Sequence, residues 1–348
     1  MSSKSQDTPL SGDEPRPALD IYVDRSRPII AVVSPAFAAV AAWAIHVFIP
    51  NGQDLPPTWM DAVPVWQHPY PIVLDGLFAV SMILAILYLA CRCARSWVQY
   101  YAPLLAGAVF LLGTLDLVAQ KLDLLPWPYF PGPNMVLGCS LEDCGVIFDS
   151  TWHSLLLLVS GYSVGVCAGV TTGVLIGWFP AVRYWAMPLL KLVGPLPATA
   201  MVPAVMMLSR ESFIPATALI GFAVWFPVTM LTSSGISSVR ISYLDVARTL
   251  GAGEWYLITR VAIPSALPTI FIGLFMGLGV SFLTLIVAEA VGVPAGLGNY
   301  IKTQQGYMEY AKMYGAWMVT AVVFSGVITV LFRTRDWVLS WQKGVIKW

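Results

Sequence analysis

An all-α polytopic membrane protein with about eight spans is what this sequence predicts, and three observations carry the prediction. The chain is 57% apolar and only 11% charged, with a mean hydropathy of +0.73, far from the balance of a soluble domain. It contains about eight apolar stretches of roughly the 20 residues that a helix needs to cross a bilayer. Its lysines and arginines fall unevenly on the two sides that such spans define.

Residues 1–28 are rich in Ser, Pro, Asp and Glu and lack an apolar core with a small-residue cleavage site, so they read as a disordered tail rather than a signal peptide. Three spans follow within 29–120: Ile29 to Phe48, Ile72 to Cys91 and Ala102 to Ala119. Residues 121–151 form a loop, in which the Pro- and aromatic-rich run Leu125 to Pro133 reads as extended and interfacial. The remaining spans, within 152–333, are Trp152 to Trp178, Met187 to Leu208, Ile214 to Ser234, Ser265 to Ala288 and Tyr314 to Phe332. Lys191, Pro195, Pro197 and Pro203 interrupt the fifth, and such backbone is tolerated only where protein buries it or it lines a cavity. Residues 334–348 are a second tail.

With an even number of spans both termini share a side. That side holds 15 of the 19 Lys and Arg residues, and only Lys121, Arg210, Lys302 and Lys312 lie on the other. The positive-inside rule makes the first side cytoplasmic. Formal net charge is zero, which gives no reason to expect nucleic acid as a partner.

On the cytoplasmic side, residues 243–264 are a polar interruption between two apolar spans. A helix-forming run from Leu244 to Leu250 stops at Gly251-Ala252-Gly253, and a second, Glu254 to Ile263, stops at Pro264. Helix connections usually need about 2–8 residues, so this length and internal turn favour a docking element over a simple joint. Gly251 permits a positive φ, and Ala247 leaves a shallow surface that a partner can enter.

These residues resemble the E-A-A, three residues, G … I-x-L-P pattern of the permease subunits of bacterial ABC importers, in the nitrate, sulfonate, taurine and bicarbonate class. Here the pattern reads Asp245-Val246-Ala247, Arg248-Thr249-Leu250, Gly251, with Ile263-Pro264 and Ala266-Leu267-Pro268 at its end. Asp245 and Val246 depart mildly from it. The run Pro188 to Pro203, and Ala288-Glu289 followed by Gly296-Leu297-Gly298-Asn299-Tyr300, are similar to the family as well. Leu208 to Phe213 departs from the family's Gly-containing turn, and the three N-terminal spans exceed the usual one. The resemblance covers roughly Ser150 to Phe332 and implies a type I importer permease core with extra N-terminal helices, in a bacterial inner membrane. It implies a homodimer, two copies of a cytoplasmic ABC ATPase and a periplasmic substrate-binding protein. It also implies a coupling loop in which Asp245, Ala247, Arg248, Gly251, Ala252, Glu254 and Pro264 meet the ATPase. ATP and Mg would be bound by that partner: the chain has no G-x-x-x-x-G-K-[ST], no Gly-Lys dipeptide and no expected cofactor of its own. The implied solute is a small anion such as nitrate, a sulfonate, taurine or bicarbonate, with a thiamine-precursor pyrimidine or an aromatic compound as the alternative.

The path would be lined from Pro195 to Leu208 and Ala218 to Thr232, with Met201, Met206, Trp225, Thr229 and Thr232 as candidates beside Met207, Phe226 and Ser233. These spans are apolar on every face, so spacing does not select among them. Glu289 is a further candidate at the outer end of the seventh span; the alternative is a carboxylate that bonds backbone near Gly292 or Gly296. Asp75 and Asp116 would pair with Arg or His inside the extension. Cys139 and Cys144 share the outward loop, either as a disulfide or as free thiols. An ATP-independent transporter would need coupling charges at mid-membrane, which are nearly absent from Trp152 onward, and no catalytic His/Cys/carboxylate cluster occurs in the spans.

Overall fold

The computed structural model describes residues 28–50, 69–90, 95–122, 124–125, 128–194, 196–207 and 212–342. The expected disordered tail at 1–28, bar Pro28, the departure at 208–211 and the end of the C-terminal tail lie outside them. Every regular element among the described residues is helical. These residues form two units, one reaching position 125 and including 132–134, the other comprising 128–131 and 135–342.

The first unit contains α1 (Pro28–Phe48), α2 (Pro69–Ala90) and α3 (Arg95–Leu115), which runs into a π-helical turn, Asp116–Lys121. Small residues bring α1 and α3 together: Val32 packs with Val98 and Ala102, and a Cβ at Gly113 would lie 2.9 Å from Ala42 Cβ. One end of this unit is polar and buried. His46 Nδ1 lies 3.1 Å from Asp116 Oδ2, and the Lys121 amine donates to the His46 carbonyl at 2.7 Å, capping the end of α1. Asp75, by contrast, is exposed on α2.

The second unit comprises α4 (Pro133–Glu142, from Met135 onward), α5 (Cys144–Trp178), α6 (Pro180–Val193), α7 (Ala198–Met206), α8 (Phe213–Ser237), α9 (Ile241–Thr249), α10 (Glu254–Tyr256), a π-helical turn Leu257–Ala262, α11 (Ile263–Val291), α12 (Leu297–Gly306) and α13 (Tyr310–Val338). At its centre α8 lies between α5 and α11, around Leu157, Ile220, Val224, Val228, Leu278 and Leu285. The α5–α8 contact is a seam in steps of four residues. Gly161, Gly165, Gly169, Gly173 and Gly177 face Ile220, Val224, Val228, Thr232 and Ile236. A Cβ at these glycines would lie 2.6 Å from Ile220 Cβ, 2.7 Å from Val224 Cβ, 2.8 Å from Val228 Cβ, 2.5 Å from Thr232 Cβ and 2.7 Å from Ile236 Cβ. Lipid offers no hydrophobic drive for helix pairing, so close backbone approach supplies the dispersion that holds these helices together.

Among the described residues six helical runs are long and apolar enough to cross a membrane, α6 with α7 make a seventh that is broken, and Val32–Phe48 of α1 is a shorter apolar stretch. Three boundaries differ from expectation. The stretch expected as one Pro-interrupted span over Met187 to Leu208 starts at Pro180 and is two helices bent by 82°, with the extended Pro197 breaking the ladder between them. The loop expected at 121–151 is mostly helical, and α5 starts at Cys144 instead of Trp152. At about 1.5 Å per residue its 35 residues span ~52 Å, more than the roughly 30 Å apolar core needs, so its first turns can carry the polar Asp149 and His153. Pro264 does not end a helix: Glu254 to Val291 is one run of 38 residues. The wider π-helical turn before Pro264 leaves room for its ring and absorbs its missing N–H.

Candidate functional site

The polar hairpin is built by its turn. Gly251 has φ +84°, the left-handed conformation that glycine adopts without strain. The Ala252 N–H donates to the Ala247 carbonyl at 3.0 Å and the Gly251 N–H to the Arg248 carbonyl at 2.9 Å, a Schellman pair that closes α9. Ala247 and Gly251 are thus joined through one capping motif. Arg248 bridges the arms, 3.6 Å from Asp245 and 3.7 Å from Glu254; all three are exposed, so these pairs contribute at most about 1 kcal/mol. The Trp178 indole N–H donates to Glu254 at 3.1 Å, tying the second arm to the end of α5.

No residue of α9 is buried. Tyr243, Val246 and Leu250 stand at i, i+3 and i+7, one helical face, and are 53%, 61% and 83% exposed. Trp255 and Tyr256 extend this apolar surface onto the second arm. Just beyond it, Leu257, Ile258 and Ala262 are buried, and Ala262 packs with Ile236, Ala266 and Ile270. The hairpin is therefore an exposed tip rooted in the packed base of α8 and α11. The second arm is continuous with α11.

The other candidates are dispersed. Met201 is partly exposed on α7, and Met206 packs its side chain against Gly292. The Trp225 indole N–H donates to Thr172 Oγ1 at 3.0 Å, and Thr172 pairs with the buried Thr229 at 2.8 Å. Thr232 is buried against Gly173. Glu289, 1% exposed, accepts from the Ser154 hydroxyl at 2.7 Å and from the Gly298 N–H at 2.8 Å, and the Leu297 N–H donates to Ser154 at 2.8 Å. The bonded backbone is that of Gly298, past the two glycines expected. A Cβ at Gly296, where φ is +109°, would overlap the carboxylate. Thr229, Thr232 and Glu289 are all buried among neighbouring helices.

Beside this lies a second polar group. Tyr300 donates to Asp143 at 2.8 Å, and Lys312 lies 3.2 Å from Asp143 and 3.1 Å from Glu309. Burial, reinforced by Asp143, holds the Tyr300 phenol above its usual range. Cys139 and Cys144 are free thiols, the first buried and the second exposed. Burial, with Glu142 nearby, pushes the Cys139 thiol up to about 11. Ser154, Thr172 and the α5 glycines are absent from the expectations drawn above, although five glycines four apart are visible in the sequence as an uninterrupted G-x-x-x-G series.

Residues 165–342 match the model of the family described as binding-protein-dependent transport system inner membrane component. The chain belongs to this family. The matched region contains the hairpin, α11 and Glu289, whereas Ser154 and the first unit lie before it. Among relatives, the taurine transport system permease protein of Escherichia coli (strain K12) is 29% identical over 231 residues, covering 64% of this chain and 80% of the relative. The bicarbonate transport system permease protein of Synechococcus elongatus is 28% identical over 243 residues, covering 68% and 82%. A putative aliphatic sulfonates transport permease protein of Bacillus subtilis is 28% identical over 204 residues, covering 59% and 71%. Among solved structures, an inward-facing MetNI methionine ABC transporter chain aligns with a TM-score of 0.50 at 15% identity, over 57% of this chain and 98% of that one, a likeness of fold. As a family member the protein is a multi-pass permease subunit of an ABC importer, a class that works with an ATPase and a substrate-binding protein.

Proposed function

We propose that this chain is one half of a homodimeric permease in a bacterial inner membrane, powered by two copies of a separate cytoplasmic ABC ATPase and fed by a periplasmic substrate-binding protein. Both termini face the cytoplasm. The hairpin meets the ATPase through Ala247, Arg248, Gly251, Ala252 and the apolar face of α9, with Asp245 and Glu254 bracing Arg248 and Pro264 inside the rigid arm. The path runs beside α7 and α8, where Met201, Met206, Trp225, Thr229, Thr232 and Glu289 belong to its wall and its supports. ATP and Mg belong to the partner. The solute is a small anion of the kind named for the relatives: taurine, bicarbonate or an alkyl sulfonate.

The observation that carries this reading is the exposed apolar face at the tip of a hairpin continuous with α11. A face of this kind is unfavourable in water and is expected to be covered. Gly251→Trp is the test. Nothing lies within 4 Å of a Cβ there, so the ring would stand out from the turn while the φ of +84° is strained for it. ATPase that copurifies with the wild-type chain and is lost with the variant supports the reading. Full transport by Gly251→Trp, or a wild-type chain that never brings down an ATPase, overturns it.

A further inference from the structure

We infer that Glu289 and Ser154 are positioning residues that latch the loop 292–296 and the start of α12 over the end of α7, and that release of this latch is part of opening the path on the outward side. The inference rests on the importer reading above. Among the described residues of the second unit, Glu289 is the one buried carboxylate or amine. Burying a carboxylate costs several kcal/mol unless donors meet it, and here they come from two elements distant in sequence, α5 and the start of α12. Three glycines seat the loop around it. A Cβ at Gly296 would overlap the carboxylate, one at Gly298 would lie 2.8 Å from Glu289 Cβ, and one at Gly292 would lie 2.7 Å from Met206 Cγ at the end of α7. The loop is thus pressed at once onto α5, α11 and the second half of the broken span.

A polar latch differs physically from an apolar one. While the loop is seated, its bonds fix the position of Leu297 and Gly298; when it lifts, water replaces these bonds and the carboxylate regains hydration, so the resistance that remains comes from exposing the buried Val293 and Leu297 side chains. Apolar packing of equal extent would resist lifting in proportion to the area exposed. The latch also lies at the far end of the uninterrupted Glu254–Val291 run whose near end is the hairpin, so one rigid rod joins the two.

The test uses the complete complex in proteoliposomes, with its copurified ATPase and binding protein, and reads ATP hydrolysis with and without the binding protein. Ser154→Ala and Glu289→Gln should raise hydrolysis without binding protein at least fivefold and cut stimulation by the binding protein to under twofold. Ser154→Thr, which keeps the hydroxyl, should restore both. Variants that match wild type within twofold overturn the latch and leave the importer reading standing. So do variants that lose both activities in proportion, with Ser154→Thr no better than Ser154→Ala, since that is the mark of a merely structural contact. A wild-type complex with no stimulated hydrolysis overturns the importer reading instead.

Discussion

Replacing Gly165 with alanine should destabilise the α5–α8 seam, whereas the same exchange at Gly279 should not. A Cβ at Gly165 would lie 2.5 Å from the Gly221 carbonyl oxygen and 2.7 Å from Val224 Cβ, where ordinary contact starts at 3.4 Å. The helices must part by several tenths of an ångström, and that loosens the neighbouring contacts at Gly161 and Gly169. Overpacking of this kind costs about 1–3 kcal/mol. At Gly279 nothing lies within 4 Å, so alanine gains about 0.5–1 kcal/mol from restricted backbone freedom. The two variants should therefore differ by roughly 1.5–4 kcal/mol, with opposite signs relative to wild type. Equilibrium unfolding of the full chain in mixed micelles reads this directly. Val228→Gly should partly rescue Gly169→Ala, because it removes both the Cβ and the Cγ1 that a Cβ at 169 would meet at 2.8 Å. Equal stability of Gly165→Ala and Gly279→Ala would refute the seam as the element that holds the core together.

Val246→Glu alters an exposed position, so unfolding should move by no more than about 0.5 kcal/mol while ATPase copurification falls at least tenfold. Trp178→Phe removes the indole donor to an exposed carboxylate; stability should change by less than about 1 kcal/mol, and hydrogen exchange at Trp255 and Tyr256 should quicken. A maleimide at pH 8 should label Cys144 and spare Cys139. The thiol of Cys139 titrates near 9.0 when unfolded and at about 11 when folded, so its stabilising contribution is complete below pH 9 and is lost as pH rises towards 11. A pH-melting series on Cys139→Ala, flatter across that window than wild type, checks the sign.

Several parts of this molecule could be read from residue types and spacing alone. Gly251 after a run of helix formers reads as a turn, and its positive φ with the Schellman bonds is the physical content of that signal. Pro264 was a misleading stop, because the π-helical turn that accommodates its ring depends on how Leu257, Ile258 and Ala262 are buried, a tertiary matter. The prolines of the fifth span mark an interruption in the sequence, but an apolar count sums residues without direction and does not give the 82° bend between α6 and α7. The seam escaped for a different reason: helices apolar on all faces show no moment, and only the four-residue spacing of the glycines marks the packed side. Glu289 stood out as an ionisable residue in a span, but its donor on α5 is 135 positions away and no local pattern points to Ser154. Asp116 finds its partner His46 70 positions earlier, by the same kind of long-range closure.

Under the proposed coupling, force enters this permease through the apolar face of the hairpin. A photo-crosslinking residue at Leu250, the most exposed position of that face, tests it most directly in native membranes. The account predicts a single crosslinked species containing an ABC ATPase, with a yield that changes when ATP is trapped. Crosslinks to lipid alone, or to this chain alone, would contradict it.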